Sequence, residues 1–193
     1  MFEYLQNQLP HLQKKLEDFD KLCERKEVPA KTILLHEGEV SRKAFFIEKG
    51  CVRIWFNNNG IDTTFQFAFE NRFVSSAESF RNNTPSLFSI ETIEPSVIQS
   101  LSKKEYLQVL KEMENEPAFL NLIINSLFDR QLYYMKEFLS FIRDSPQERY
   151  LNLIKDKPQI IKRVPQHYIA SYLGISSVHL SRIRNKILKQ KAV

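Results

Sequence analysis

Short runs rich in Ile, Val, Phe and Thr dominate the chain from Thr32 to Leu101, and turn-forming residues separate them. The turn signals recur about every eight to twelve residues, which is typical of a compact antiparallel β sandwich or roll. The run NNNG, residues 57–60, predicts a hairpin turn, because Asn and Gly both tolerate a positive φ. The apolar runs are TILL, AFFIE, CVRIWF, TTFQFAF, SLFSIETI and SVIQSL.

Helical patterns flank this β-rich stretch on both sides. Residues 2–25 carry apolar side chains at spacings of three and four, which predicts helix with a break near Pro10. Ser102 and Glu105 have the spacing of a capping box and predict the start of another helix. A long helical pattern then runs from Pro117 to about Ile142. The sequence therefore predicts an α+β protein with an N-terminal antiparallel β-roll and flanking helices.

The long helical pattern carries an apolar seam at alternating spacings of four and three residues, and further apolar residues widen it. One seam of such a helix can pack on the β body while another packs on a partner. We expect a homodimer interface, and burial of the same side chains inside one chain is the alternative. The predicted dimer seam is Leu120, Ile124, Leu127, Gln131, Tyr134, Phe138 and Phe141.

Ser145 and Pro146 combine a preferred N-cap residue with a helix-start proline, and a basic segment follows. Residues 150–193 hold nine Lys and Arg against one acid, a net charge of +8, whereas the other 149 residues hold 19 basic and 22 acidic residues, a net charge of −3. This layout is typical of a polyanion-binding module joined to a separate domain. The predicted division is a β-roll domain at 1–116, a dimerisation helix at 117–144 and a DNA-binding domain at 145–193.

The stretch IASYLGISSVHLSRIRNKI, residues 169–187, has the residue types of a helix-turn-helix at the required offsets. The small Ala170 lets a second helix cross closely, and Gly174 can take the positive φ that reverses the chain. Ser176 can cap the second helix. The predicted inward face of that helix is Leu180, Ile183 and Ile187.

In this geometry the N-terminal part of the second helix enters the major groove of double-stranded DNA, while the first helix crosses the backbone. Arg182 suits a bidentate contact to guanine, and Val178 can meet a thymine methyl group. The predicted base-reading residues are Ser177, Val178, Ser181 and Arg182. The residues predicted to contact the DNA backbone are Gln166, Ser176, His179, Arg184, Lys186 and Lys189.

Other classes of function lack their residues in this chain. Two cysteines fit neither a disulfide framework nor a thiolate metal cluster. A cupin-like enzyme needs about three His near a metal, and the β-rich stretch offers only His36. No apolar run approaches the roughly 18 residues of a membrane span. We therefore predict a cytoplasmic protein without catalytic residues, metal, cofactor or membrane contact.

A roll, a long helix and a helix-turn-helix, in this order, resemble the Crp–Fnr family of bacterial transcription regulators over nearly the whole chain. ILLHEGEVSRKAFFIEKGCVRIWF is similar to the family's roll signature, SPQERYLNLI to its hinge-following helix and IASYLGISSVHLSRI to its helix-turn-helix. The sequence pattern, with its aromatic-rich roll, is most similar to that of family members from Bacteroidetes-type bacteria. The resemblance implies a cyclic-nucleotide-binding-like roll and a homodimer on a palindromic operator, and it adds RNA polymerase as a candidate partner. The signature positions are Gly38, Glu39, Phe46, Ile47 and Gly50.

The segment FVSSAESFRNNTPSLFS departs from the cyclic-AMP-binding members of that family. In those members a Glu takes the ribose hydroxyls and an Arg holds the cyclic phosphate; here Ser76 and Pro85 stand at these positions. Without the Arg, a buried phosphate lacks its charge-assisted partner, although Arg81 is an adjacent substitute. We therefore expect that cyclic AMP does not control this protein. The predicted degenerate ligand pocket is Ser75, Ser76, Glu78, Arg81, Pro85 and Ser86.

Two expectations stay open alongside the leading one. A ligand-gated regulator would bind an unidentified small molecule or a cyclic nucleotide in the roll. The aromatic residues of the roll would then line the ligand pocket, and the alternative is that they form the hydrophobic core. Val178 matches a position where many family members carry an acid that reads cytosine, so we expect a shifted operator sequence. The candidate lining residues of the roll are Phe67, Phe73, Phe80 and Phe88.

Overall fold

The structure, a computed structural model, describes residues 5–191 of the chain. The strands are β1 (Glu24–Val28), β2 (Ile33–Leu35), β3 (Lys43–Lys49), β4 (Val52–Asn58), β5 (Ile61–Ala68), β6 (Arg72–Val74), β7 (Ser89–Thr92) and β8 (Ser96–Ser102). The helices are α1 (Gln13–Asp20), α2 (Ala77–Asn82), α3 (Lys103–Glu112), α4 (Pro117–Arg143), α5 (Pro146–Asp156), α6 (Pro158–Arg163), α7 (Gln166–Tyr172) and α8 (Ser177–Lys191).

The described residues form two compact units. The roll unit holds the chain up to Phe56 together with Phe67–Leu127, and the helical unit holds Asn57–Gln66 and the chain from Phe128 on. The tip of the β4–β5 hairpin therefore belongs to the helical unit, and α4 runs through both. The three-domain division of the sequence stays a prediction.

Two four-stranded sheets make up the roll, with strand orders β1-β8-β3-β6 and β2-β7-β4-β5. The pairings β1–β8, β3–β8, β3–β6, β2–β7 and β4–β7 are antiparallel. Aliphatic side chains from both sheets form a common buried cluster, as the opposed pairs Ile54–Ile90 and Ile47–Ile98 illustrate. The α+β roll that the strand runs predict is confirmed.

Strand β3 carries four successive buried residues because it has a core on each face. Phe45 and Ile47 belong to the cluster between the sheets, whereas Phe46 belongs to a second cluster with residues of helices α1, α3 and α4. Side chains on a strand alternate between its two faces, so AFFI reads as a continuous apolar run only because both faces are covered.

The sequence missed four short elements, one of which is helix α6 with six residues. Residues 24–28, ERKEV, form the edge strand β1 against β8, whereas the apolar spacing predicted helix up to residue 25. Charged side chains are common on edge strands, and they leave no period-2 apolar pattern to detect. Strand β6 has three residues and helix α2 has six, too few for a periodic signal.

The predicted N-terminal helix is interrupted where expected. A 3-10 turn covers Pro10–Leu12 and α1 follows from Gln13 to Asp20, while residues 1–4 lie outside the described part of the chain. The predicted hairpin turn is also present, with positive φ at Asn59 and Gly60.

The helical unit has its own apolar core. Ser145 caps α5 in a capping box with Glu148, as Ser102 caps α3 with Glu105. The buried core residues from α5 to α8 are Tyr150, Leu153, Ile160, Val164, Ile169, Ala170, Leu173, Leu180, Ile183 and Ile187.

None of the helices in the described part of the chain combines the length and apolar character needed to cross a membrane.

Candidate DNA-binding surface, dimer helix and ligand segment

Helices α7 and α8, called the helix pair below, are joined by a turn that Gly174 makes possible. Gly174 has a φ of +67°, and its N–H donates to the carbonyl of Ser171 at 2.9 Å. The N–H of Ile175 donates to the carbonyl of Ala170 at 3.0 Å, which completes a Schellman motif. A Cβ on Gly174 would lie 3.1 Å from the ring of Phe141, so both φ and space favour glycine there.

Helix α8 separates its apolar side chains from its polar ones. The predicted inward residues are buried, whereas the four predicted base-reading residues are exposed, Val178 by 62%. A large aliphatic side chain that is mostly exposed beside serines and an arginine is available to a ligand outside the chain. The exposed residues are Ser177, Val178, Ser181 and Arg182, and Asn185 lies beside them.

The residues predicted to contact the DNA backbone are also at the surface. Gln166, His179, Lys186 and Lys189 are exposed, and Arg184 is half-buried. Ser176 is exposed as well, and its hydroxyl oxygen accepts the N–H of His179 at 3.2 Å, as in an N-cap. The hydroxyl proton of Ser176 stays available for a phosphate oxygen.

Helix α4 has 27 residues and a broad exposed apolar face. All seven residues of the predicted dimer seam are exposed, with Leu127 at 56% and Phe138 at 66%. At about 100° per residue the seam and its neighbours lie on one continuous side of the helix. The apolar neighbours that widen this side, also exposed, are Phe128, Leu132, Met135, Leu139 and Ile142.

Two residues of the predicted seam have partners within the helical unit. The hydroxyl of Tyr134 donates to Oε1 of Gln66 at 2.8 Å, and partial burial raises the pKa of this phenol. Phe141 lies next to Gly174, and the guanidinium of Arg149 stands 4.5 Å from the centre of its ring. These residues therefore have a role inside one chain besides the predicted interface.

A polar cluster around Lys157 escaped the sequence interpretation. Lys157 Nζ lies 2.6 Å from Oε1 of Glu137 and 3.1 Å from the hydroxyl of Tyr172, and Tyr172 donates to Oε2 of Glu137. Burial raises the pKa of Tyr172, so its hydroxyl stays protonated and remains a donor. The four residues come from α4, the α5–α6 junction and α7, and no local pattern links them. The fourth is Tyr133, whose ring lies 4.5 Å from Lys157 Nζ.

The predicted ligand segment, residues 73–89, lies in the roll unit and is called the cassette segment below. Its serines are used internally: the hydroxyl of Ser79 accepts the N–H of Ser41 at 2.8 Å and donates to the carbonyl of Thr84. The N–H of Ser86 donates to the carbonyl of Glu39 at 2.8 Å, and the Ser86 hydroxyl donates to the carbonyl of Phe88 at 2.7 Å. The N–H and the hydroxyl of Ser86 therefore already have acceptors inside the roll unit.

The other residues of the predicted pocket differ in burial. Ser76 is buried at the start of α2, Ser75 is half-buried, and Pro85 forms a β-bridge with Val40. Glu78 and Arg81 are exposed. A surface groove of about 470 Å³ lies close by, and its lining includes Val40, Arg42, Asn83, Ser102, Lys103 and Lys104 rather than the predicted pocket residues.

The aromatic residues proposed to line the roll are distributed between core and surface. Phe67 and Phe80 are buried, Phe88 packs on the cluster between the sheets, and Phe73 is 40% exposed with its ring centre 5.0 Å from that of Phe46.

Within residues 5–191, no group of three or more His, Cys, Asp or Glu is placed to hold a metal ion. Burial raises the pKa of the Cys23 thiol to about 12, and Cys51 is buried.

Comparisons with known proteins agree with this architecture. Residues 25–113 match the family model of the cyclic nucleotide-binding domain. The global regulator CLP of Xanthomonas campestris, described as responsive to c-di-GMP, is similar in structure at 16% identity, with 93% of each chain covered and a TM-score of 0.73. The chain has the fold of the Crp–Fnr transcription regulators.

Two further solved structures are similar. A cyclic nucleotide-binding domain containing protein from Listeria monocytogenes has 17% identity and a TM-score of 0.70, with 97% of this chain and 91% of that chain covered. A CooA variant from Carboxydothermus hydrogenoformans has 16% identity and a TM-score of 0.69, with 90% and 79% covered. No curated protein matches the sequence. The fold of the Crp–Fnr regulators is thus shared at low identity, and the match to the family model lies in the first 113 residues.

Proposed function

We propose that this protein is a sequence-specific DNA-binding transcription regulator that acts as a homodimer on a palindromic operator. The helix pair is its helix-turn-helix, and α8 is the helix that enters the major groove. The observation that carries the proposal is the division of α8 into a buried apolar face and an exposed face with the four predicted base-reading residues.

The exposed face of α8 suits a major groove chemically. Arg182 can donate two hydrogen bonds to O6 and N7 of guanine, and the Val178 side chain can pack against a thymine methyl group. The basic residues near this face add the sequence-independent attraction to phosphate. Residues 150–193 have a net charge of +8, which supports a polyanion as the partner.

The exposed apolar side of α4 supports the homodimer. The exposed apolar residues from Leu120 to Ile142 form a band about 33 Å long at 1.5 Å per residue, and a large exposed apolar patch marks an interaction surface. A second copy offers the same band, and two-fold pairing buries both at once. Such a dimer presents two α8 helices to half-sites about one helical turn apart, roughly 34 Å.

We further propose that the regulator works without cyclic AMP. The Ser86 N–H is bonded to Glu39, and Pro85 stands where the resemblance expects the phosphate-binding arginine. A cytoplasmic location, RNA polymerase as a further partner and the lack of enzymatic activity belong to the same proposal.

A ligand-gated regulator is the second candidate, and the match of residues 25–113 to the cyclic nucleotide-binding domain favours it. A thermal-shift screen with cyclic mononucleotides, cyclic dinucleotides and common metabolites tests it. Stabilisation that grows with concentration supports ligand gating, and a flat response across the screen contradicts it.

The main test is selection of bound sequences from a random pool of double-stranded DNA, combined with sedimentation of the protein alone. We expect a two-fold symmetric consensus and a dimer of twice 22.9 kDa. Binding that is strongly salt-dependent but blind to sequence contradicts the proposal.

A matched pair of variants on α4 tests the dimer. Leu127→Asp places a charge on the exposed apolar side, whereas Ser126→Asp places it on the next residue, about 100° away and off that side. We expect Leu127→Asp to give monomers and to weaken binding to a full operator about a hundredfold, because two linked half-site contacts become one. Ser126→Asp should leave both properties unchanged. Equal behaviour of the two variants contradicts the proposed interface.

A further inference from the structure

The last residues of α7 contact three different parts of the helical unit. Ser171 bonds to the tip of the β4–β5 hairpin, Tyr172 bonds to Glu137 on α4, and the carbonyl of Leu173 bonds to Arg149 on α5. We propose that these three residues form a mount that fixes the direction of α8 and thereby the half-site spacing that the dimer accepts. This inference rests on the proposed function.

The first contact joins α7 to an edge strand. Ser171 Oγ accepts the N–H of Thr64 at 2.9 Å and donates to the carbonyl of Asp62 at 3.0 Å. Strand β5 is the last strand in its sheet order, and Thr64 is only 2% exposed. One hydroxyl therefore satisfies a donor and an acceptor that a neighbouring strand would otherwise pair.

The second contact joins α7 to α4. Tyr172 donates to Oε2 of Glu137, and Lys157 Nζ binds the other oxygen of the same carboxylate and also the Tyr172 hydroxyl. Charge-assisted hydrogen bonds of this kind are directional and stronger than neutral ones. Tyr172 is half-buried, so its ring packing and this hydrogen bond together hold α7 against α4.

The third contact joins α7 to α5 and to the end of α4. Arg149 Nη2 donates to the carbonyl of Leu173 at 2.9 Å, and Nη1 donates to the carbonyls of Phe141 and Asp144 at 3.0 Å each. Leu173 is the C-cap residue of α7 and directly precedes the glycine turn. A rigid guanidinium therefore holds the point from which the chain turns into α8.

Helix α8 contributes mainly apolar residues to the core, namely Leu180, Ile183 and Ile187. Apolar burial is non-directional, whereas the polar contacts of α7 define an orientation. Two partners of the mount, Glu137 and Phe141, belong to the helix of the proposed dimer interface. The distance between the two α8 helices of a dimer then depends on residues that touch no DNA.

The experiment measures affinity against half-site spacing. The selected operator is prepared with its centre shortened or lengthened by one and two base pairs, and each version is titrated with wild type, Tyr172→Phe and Ser171→Ala. Tyr172→Phe deletes only a hydroxyl and keeps the buried ring. Tyr106→Phe is the matched control, because it makes the same deletion on a partly exposed residue of the roll unit.

We expect wild type and Tyr106→Phe to prefer one spacing sharply. The two mount variants should have a flatter profile, with the preference for the best spacing over its neighbours reduced about three- to tenfold, the effect of one lost hydrogen bond. The base preference within each half-site should not change. If the two mount variants lose affinity equally at every spacing, their role is merely structural and the mount is overturned. A flat affinity profile for wild type overturns the mount as well.

Amide hydrogen exchange separates a failure of the mount from a failure of the proposed function. If wild type selects no DNA sequence, the proposed function fails, and the mount is judged on exchange alone. The mount predicts that amides of residues 166–176 exchange about three- to tenfold faster in both mount variants than in wild type and Tyr106→Phe. Equal exchange in all four proteins overturns it.

Discussion

The cassette segment and the helix pair are both rich in serine, and most of their serines differ in burial. In the cassette segment Ser76, Ser79, Ser86 and Ser89 are all 3% exposed or less. In and beside the helix pair, Ser176, Ser177 and Ser181 are exposed. Four serines of the cassette segment therefore lie in the interior, whereas three serines in or next to α8 face outward and Ser171 of α7 is bonded inside the helical unit.

The difference shows which donors each segment has available for a ligand. A phosphate needs donors that have no partner inside the protein. The Ser86 N–H and the Ser86 and Ser79 hydroxyls already have protein acceptors, and so they stabilise the roll instead. Exposed donors such as Arg182 contribute little to the free energy of unfolding and are available to a partner.

The largest effect we expect concerns Ser79. Ser79→Ala leaves the buried N–H of Ser41 and the carbonyl of Thr84 without this partner, which costs about 3 kcal/mol of unfolding free energy. Ser181→Ala should change the unfolding free energy by less than about 0.5 kcal/mol. Urea unfolding of both variants measures the contrast. Similar losses for the two serines would break the comparison.

The next effect concerns DNA affinity. Arg182→Ala should weaken binding to the selected operator about 10- to 100-fold and relax the base preference at one position, because a bidentate base contact is lost. Lys189→Ala should weaken binding to all sequences alike and reduce the slope of log affinity against log salt by about one. Titrations at several salt concentrations measure both. If Arg182→Ala behaves like Lys189→Ala, Arg182 contacts phosphate rather than a base.

A smaller effect distinguishes the two helix ends. Helix α2 ends at Asn83 with a φ of +58°, and α7 is followed by Gly174 with a φ of +67°. Gly174→Asn should cost about 1–2 kcal/mol, because the new Cβ would meet the Phe141 ring at 3.1 Å. Asn83→Gly at an exposed position should change stability by less than about 0.5 kcal/mol. Combining Gly174→Asn with Phe141→Leu should recover part of the lost unfolding free energy. If the double variant recovers none of it, the positive φ of the backbone causes the whole loss, and the contact with Phe141 causes none.

The smallest expected effect is no effect. Cyclic AMP or cyclic GMP at millimolar concentration should leave the thermal unfolding midpoint of wild type and of Pro85→Arg within about 0.5 °C of its starting value. A ligand at a hundred times its Kd would add about 2.7 kcal/mol, which corresponds to several degrees for a chain of this size. A shift for Pro85→Arg alone would show that the cassette segment keeps a usable phosphate site and lacks only the arginine.

Much of the fold could be predicted because its signals are local. The capping boxes of α3 and α5 involve residues three positions apart, and the turns at Asn59–Gly60 and Gly174 depend on single residues that tolerate positive φ. The apolar period of α4 also lies within one segment of chain. Strand β1 was missed because the charges of ERKEV follow no period, and only the neighbouring strand β8 makes it a strand.

The candidate sites divide in the same way. The sequence by itself determined which residues of α8 face inward and which outward, because helix geometry converts spacing into direction. Only the tertiary structure decided that Ser79 and Ser86 are already bonded and that α7 has polar contacts at three points. Ser171 and Thr64 are 107 positions apart, and Tyr172 and Glu137 are 35 positions apart. Contacts at such separations leave no periodic pattern in the chain, so they arise only when the packing of the elements brings the partners together.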